Sequence, residues 1–286
     1  MQIAVNGTRL WFDVDGPSLV PDGDAMVERP TVVLLHGGPG SYDHSYFKPV
    51  FSWLARVAQV VYLDLRDHGR SARHRAADWS FELCADDVAA FCDHLELTRP
   101  VVLGHSMGGL VAMLHAARHP EQVGALILLS TMARFDPARL VEEFRRVAGD
   151  EVAELARRDY GGAPVSDAEW ARVFAAFGPV VPGREALARR IQNAEVGAHG
   201  MELLRRVNLV DQLARVRCPV LVATGDLDPI TPVAAAQEIA DALPQHLARL
   251  RVIDGAGHFP WLDRPEACWS MIDDFVTSSR PRRGIM

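Results

Sequence analysis

Four short apolar runs stand out along the chain, Thr31 to Leu35, Val60 to Leu63, Val101 to Leu103 and Ala125 to Leu129, and none of them alternates with polar residues. Continuous β-branched runs of this length suit strands covered on both faces, as in a parallel sheet. Amphipathic stretches at roughly 43–57, 80–97 and 107–119 separate them, the second opened by Ser80 as an N-cap with Glu82 in its first turn. Strands alternating with helices predict a mostly parallel sheet. Ahead of this series, residues 2–15 read as two short strands about Asn6-Gly7, a dipeptide suited to a tight hairpin, followed by a loop containing Pro, Asp and Gly.

The rhythm then changes. Residues 132–212 hold no strand-like run and show helical segments separated by Gly161-Gly162, Gly178-Pro179 and Pro182-Gly183. The strand pattern resumes with Pro219 to Thr224, a helix near 233–243, an apolar run at Leu250 to Ile253 and a last helix near 265–278. Residues 1–131 and 213–286 are therefore expected to form one core domain, with 132–212 a helical cap inserted in it. The Arg280-Pro281-Arg282-Arg283 tail reads as a solvated end.

Composition narrows the classes. A chain of 286 residues with 49% hydrophobic and 23% charged positions can bury a sizeable core and is not a disordered one. Its net charge of -7 supplies no field for a phosphate backbone, so nucleic acid is not an expected partner. Cys84, Cys92, Cys218 and Cys268 form no C-x-x-C pair and no cluster with histidine, so they read as reduced thiols rather than a zinc or redox site. His115 and His119 have a helical spacing that zinc can use, but no third ligand accompanies them, and no metal is expected. With no basic-then-apolar leader and no apolar run of membrane-spanning length, no membrane partner is expected and the cytoplasm is the expected location.

The strongest chemical signal is Gly104-His105-Ser106-Met107-Gly108-Gly109, between the strand ending at Leu103 and the helix starting at Met107. A Gly-x-Ser-x-Gly turn at that junction holds its serine in a strained conformation with the hydroxyl raised above the sheet. A serine hydroxyl is a weak nucleophile unless a base takes its proton and a third group orients that base. His258, in Gly255-Ala256-Gly257-His258, and Asp228, in Gly225-Asp226-Leu227-Asp228-Pro229, each follow a strand, and the carboxyl ends of such strands gather functional residues. Asp226 and, more distantly, Asp136 are rivals for the acid. Donors for a developing oxyanion are expected from the amides of Met107 and of Gly38, the latter in His36-Gly37-Gly38-Pro39-Gly40. His36, Gly37 and His105, with Phe259 and Trp261 beside the base, are candidate substrate-binding residues; His36 and His105 also read as supports of the site through hydrogen bonds, and Phe259 and Trp261 as packing. Asp64 and Arg66 are expected to fix the loop after their strand rather than react.

The order Ser106, Asp228, His258 resembles the α/β-hydrolase superfamily over nearly the whole chain. That resemblance implies an α/β-hydrolase fold: a mostly parallel eight-stranded sheet flanked by helices, with the cap inserted after the sixth strand. The glycine segment at 36–40 and Asp64-Leu65-Arg66-Asp67-His68-Gly69-Arg70-Ser71 resemble the proline iminopeptidase branch. Met107 stands where that branch has Trp and Asp67 where it has Gly, and Gly-His-Ser-Met-Gly-Gly is closer to general carboxylesterases. The resemblance implies a cofactor-free serine hydrolase acting on a small-molecule ester, with an aminoacyl substrate, a lactone or a thioester as alternatives, or else a low-turnover ligand-binding relative. Of the acids in the cap, Glu142, Glu143, Glu195 and Glu202 read as solvated helix faces.

Overall fold

Asn6 and Gly7 adopt positive φ angles of 43° and 71° and turn β1 (Gln2–Val5) into β2 (Thr8–Asp15), the hairpin that the dipeptide predicts. The computed structural model describes residues 1–182 and 184–279; Gly183 and the Arg280–Arg283 tail lie outside the described residues. Residues 16–30, expected as a loop, instead contain a second antiparallel hairpin, β3 (Leu19–Asp22) and β4 (Ala25–Glu28). Its strands are short, mostly exposed and interrupted by Pro21, so they carry little of the apolar signal that betrays a strand.

The main sheet is completed by β5 (Thr31–Leu35), β6 (Gln59–Asp64), β7 (Val101–His105), β8 (Ala125–Leu129), β9 (Val220–Gly225) and β10 (Ala248–Ile253). Its eight strands lie in the order β1-β2-β6-β5-β7-β8-β9-β10. Only β1 and β2 run antiparallel to their neighbours. The central strands are buried almost throughout because helices cover both faces, which is why they show no alternation.

The stretch at 43–57 is broken into short pieces, with only Lys48–Phe51 (α1) as α-helix between 3-10 turns, and Pro49 stands at its start. The longer helices match their patterns: α2 (Phe81–His94), capped by Ser80 through the Leu83 amide at 3.1 Å, and α3 (Met107–Arg118). Among the described residues between β8 and β9 come five α-helices and no strand of the sheet: α4 (Pro137–Ala148), α5 (Asp150–Tyr160), α6 (Asp167–Ala175), α7 (Arg184–Arg189) and α8 (Ala194–Leu204). The chain closes with α9 (Val233–Ala242), α10 (Pro260–Asp263) and α11 (Pro265–Ser278).

Two apolar layers result. Side chains of α2, α3 and α9 pack one face of the sheet, and those of α1 and α11 the other, joined there by Leu140, Phe144 and Phe174 from the inserted helices. Register brings Leu35 opposite Gly104 and His105 opposite Leu129, and Gly225 opposite Ile253, so the loops after β5, β7, β8, β9 and β10 leave from one edge. All four cysteines are buried and unpaired, and no described helix is long and apolar enough to cross a membrane.

Candidate active site

Ser106 caps α3 with φ 53° and ψ −120°, a backbone region that costs a non-glycine residue about 1–3 kcal/mol. Its surroundings enforce it. A Cβ on Gly104 would lie 2.3 Å from the Gly108 carbonyl oxygen, and one on Gly108 would lie 2.1 Å from that of Leu35, so both glycines are needed for strand and helix to meet. The Ser106 amide donates to Leu129 O at 3.1 Å and the Thr131 hydroxyl to Ser106 O at 2.7 Å, pinning the turn to the next strand's end.

Asp228 and His258, thirty residues apart, meet through a 2.9 Å bond from Nδ1 to Oδ2, both side chains buried. A carboxylate only accepts, so Nδ1 carries the proton of this bond, and in the neutral ring that leaves Nε2 with its lone pair. Asp228 is anchored on every side. Oδ1 accepts the amides of Ile230 and Thr231 at 2.9 and 3.0 Å, and Oδ2 accepts the Thr231 hydroxyl at 2.5 Å. Burial alone would raise its pKa, but the adjacent imidazole and these donors outweigh that and hold the carboxyl below its ordinary range. The rivals have other work: Asp226 accepts the Gly255 amide at 2.6 Å, fixing the histidine's loop, and Asp136 caps α4 through the Arg139 amide.

Ser106 and His258 line one cavity of about 670 Å³. No hydrogen bond joins the Ser106 hydroxyl to the imidazole among the described residues, and such contacts commonly tighten only around bound substrate. Gly37, Gly38, His105, Met107 and Phe259 also line it. Neither the Gly38 nor the Met107 amide has a partner among the described residues, whereas that of Gly37 is taken by Tyr46 Oη at 2.8 Å. Two backbone donors thus remain open at the mouth of the Ser106 turn.

Two of the expected substrate contacts are corrected. His36 is fully buried behind the cavity, its Nδ1–H donating to Gly37 O at 2.7 Å and its Nε2 accepting the Leu65 amide at 3.1 Å; burial lowers its pKa. Trp261 is likewise behind the wall, packed 4.6 Å from the His105 ring and against Phe47 and Phe51. Both residues brace the site instead of touching its contents. Glu202, read as a solvated face, is exposed but stands at the cavity's edge. His115 and His119 are bonded to Gln122 and Asp86. Asp64 accepts the His44 and Arg70 amides at 2.8 Å each and so fixes its loop, while Arg66 forms a buried pair with Asp87.

Tyr46 carried no motif in the sequence and proves central. Its hydroxyl accepts from the Gly37 amide and donates to His105 Nδ1 at 2.8 Å, and His105 Nε2–H donates to the carbonyl of His258 at 2.9 Å. Burial drives the His105 pKa well down, which keeps the ring neutral and this polarity intact. The glycine strap and the loop of His258 are thereby joined by one buried relay of hydrogen bonds. Thr231 and the Phe177 carbonyl, which accepts the His258 amide at 2.6 Å, were also silent in sequence, because each acts through a contact with a distant segment.

A serine hydroxyl, an imidazole with its distal nitrogen free, a carboxylate behind it and two unpaired amides form a set able to add to a carbonyl and hold the resulting oxyanion. The profile described as alpha/beta hydrolase fold matches residues 30–265. A pimeloyl-[acyl-carrier protein] methyl ester esterase of Aromatoleum aromaticum is 31% identical over 272 residues, covering 87% of this chain and 99% of that protein. Proline iminopeptidase PfmaB of Pestalotiopsis fici is 26% identical over 275 residues, with 90% and 92% covered. Among solved structures, an N-acyl homoserine lactone degrading enzyme superposes with a TM-score of 0.71 at 26% identity, covering 96% of this chain and all of that one.

Proposed function

Because the chain belongs to the α/β-hydrolase family, and is a hydrolase of that fold, we propose that it cleaves a small-molecule carboxylic ester by acyl transfer. Ser106 attacks the carbonyl carbon, His258 takes the hydroxyl proton on Nε2 and delivers it to the departing alcohol, and Asp228 holds the ring. The Gly38 and Met107 amides receive the oxyanion, and water, deprotonated by the same imidazole, releases the acid and restores the serine. The observation that carries this reading is the Asp228–His258 bond beside a strained serine in one cavity. The helices of 132–212, which supply the far wall through Tyr160, Trp170 and Met201, act as a cap that shapes the pocket. The similarity to the pimeloyl ester esterase supports an ester as substrate.

A second reading, release of an N-terminal residue by an aminopeptidase, is favoured by the likeness to the iminopeptidase and by Asp159 and Glu202, acids at the cavity that suit a substrate amine. A fluorophosphonate should label wild-type protein stoichiometrically and leave Ser106→Ala unlabelled. Turnover of 4-nitrophenyl butyrate against proline 4-nitroanilide then separates the readings. Absence of label would remove the nucleophile; a clear preference for the anilide would replace the esterase by the aminopeptidase.

A further inference from the structure

The inserted helices are rich in arginine, and those on α4, α5 and α6 are answered. Arg139, Arg145, Arg146, Arg157, Arg158 and Arg172 each pair with an aspartate or glutamate. Arg190 is different. It lines the cavity with Ser106, is half-buried, and among the described residues no carboxylate lies within ion-pairing distance of it. Its contacts are neutral: the guanidinium centre is 5.2 Å from the Tyr42 ring centroid, and the Gln192 amide, with its oxygen turned toward the guanidinium, accepts at 2.9 and 3.2 Å.

The position is held by the backbone on either side. The Ile191 amide donates to Asp43 Oδ2 at 2.6 Å and the Asn193 amide to Gly40 O at 2.8 Å, so the residue is tied to the loop that carries Gly38. Asp43, the acid on that loop, accepts the Ser45 amide on its other oxygen and makes no ion pair with the guanidinium. The other charged side chains at the cavity are Asp159, Glu202 and Arg205. Asp159 lies in the field of Arg205, which donates from Nε to Tyr160 O at 2.7 Å, and Glu202 is exposed at the edge. Tyr42 packs against the guanidinium and is hydrogen-bonded to it, and the Gln192 oxygen sits on the Nε and Nη2 fork, so a planar carboxylate would take that fork by displacing a neutral, exposed amide.

We propose that Arg190 makes this cavity a site for a carboxylate-bearing substrate, the anion held by the guanidinium while its ester group lies at Ser106. The proposal rests on the serine hydrolase reading above and narrows it to esters that carry a second, free carboxylate.

The test compares 4-nitrophenyl butyrate with the 4-nitrophenyl monoester of glutaric acid, which share a leaving group and differ at the far end by the anion. Wild type should favour the monoester, the preference shrinking with added salt. In Arg190→Gln the ratio of the two kcat/KM values should fall by roughly tenfold to a hundredfold, the range of one charge-assisted hydrogen bond, with the change in KM. Arg190→Lys should keep part of it. An unchanged ratio in Arg190→Gln, or no preference in wild type, overturns the proposal.

If wild type cleaves neither ester, the serine hydrolase reading fails and binding decides the rest. Calorimetry on Ser106→Ala should then show monomethyl glutarate bound more tightly than methyl butyrate, with the difference lost in Ser106→Ala/Arg190→Gln. Equal affinities would overturn the anion site on its own terms.

Discussion

The sheet-edge loops and the inserted helices face each other across one cavity and are built on opposite plans. At the sheet edge each candidate group is multiply bonded: buried Asp228 takes four hydrogen bonds, buried His258 is held at its amide, its ring and its carbonyl, and half-buried Ser106 is clamped at both backbone groups. On the helical side the cavity is faced by long or exposed side chains, Trp170, Gln192, Glu202 and Arg205. Groups that must hold reacting atoms to a fraction of an ångström need over-determined positions; groups that select among substrates do not. Changes on the first side should therefore cost turnover or stability steeply, and changes on the second should move selectivity.

The largest effect is expected from Asp228→Asn. Its amide would present a donor or a single weak acceptor to His258, favouring the tautomer with Nε2 protonated and unable to accept the serine proton, and a drop of roughly 10⁴-fold in kcat follows. Steady-state kinetics with 4-nitrophenyl butyrate measures it, and a loss under tenfold would mean that Asp228 does not orient the base. Next comes Gly108→Ala. The new Cβ would stand 2.1 Å from the Leu35 carbonyl oxygen, a backbone atom with nowhere to go, so β5 and α3 must separate. We expect about 3 kcal/mol or more of lost stability by denaturant unfolding, with insoluble expression as the extreme.

Tyr46→Phe should cost less and in a different currency. It removes one hydroxyl but leaves the Gly37 amide and His105 Nδ1 both buried and unpaired, worth about 1–3 kcal/mol. Because the relay ends at the His258 carbonyl, turnover should fall with little change in KM. A purely structural role would lower stability and leave kcat intact. The acid limb of stability offers a further probe. The folded Asp228 carboxyl is held below its ordinary 3.8, so the stabilisation it contributes is present above that value and is lost as pH falls through the lower, folded one. Thr231→Val removes the 2.5 Å donor, moves the folded pKa back up and should shift acid unfolding to higher pH, read by circular dichroism along a pH series.

The same division governs what could be read from sequence. Ser106 with its glycines, Gly38, Asp228 and His258 each follow an apolar run directly, and a local pattern at a strand end is visible without the partner it will meet. Asp228 and Asp226 could be weighed only by position; the hydrogen bonds that divide their labour cross to residues 255–258. Tyr46, Thr231 and Phe177 have no such marker, since a tyrosine in a broken helix or a carbonyl in a helix–helix connection looks ordinary until the chain is folded. Trp261 and His36 admit two readings, substrate contact or support, and only the fold chooses support, since both lie buried behind the cavity. Arg190 stayed hidden because an arginine among many acquires meaning only when its missing partner can be seen.

The smallest effect separates the two plans most cleanly. Gly197 lies inside α8, on the helical side of the same cavity, and a Cβ there would meet nothing closer than the Pro39 carbonyl oxygen at 3.6 Å, an ordinary contact. Its helical backbone needs no positive φ. Alanine should thus add about 0.5–1 kcal/mol of stability by lowering the backbone entropy of the unfolded chain. The added methyl narrows the cavity beside Pro39, so KM for long acyl esters should rise by a few fold while kcat for a short one is unmoved. One methyl group that breaks the fold at Gly108, wedged against β5 behind the Ser106 turn, would then strengthen it at Gly197 in the cavity wall. If Gly197→Ala instead destabilised the protein or cut turnover of short esters, the helical wall would have to be placed with the sheet edge as part of the rigid framework, and selectivity would have to be sought elsewhere.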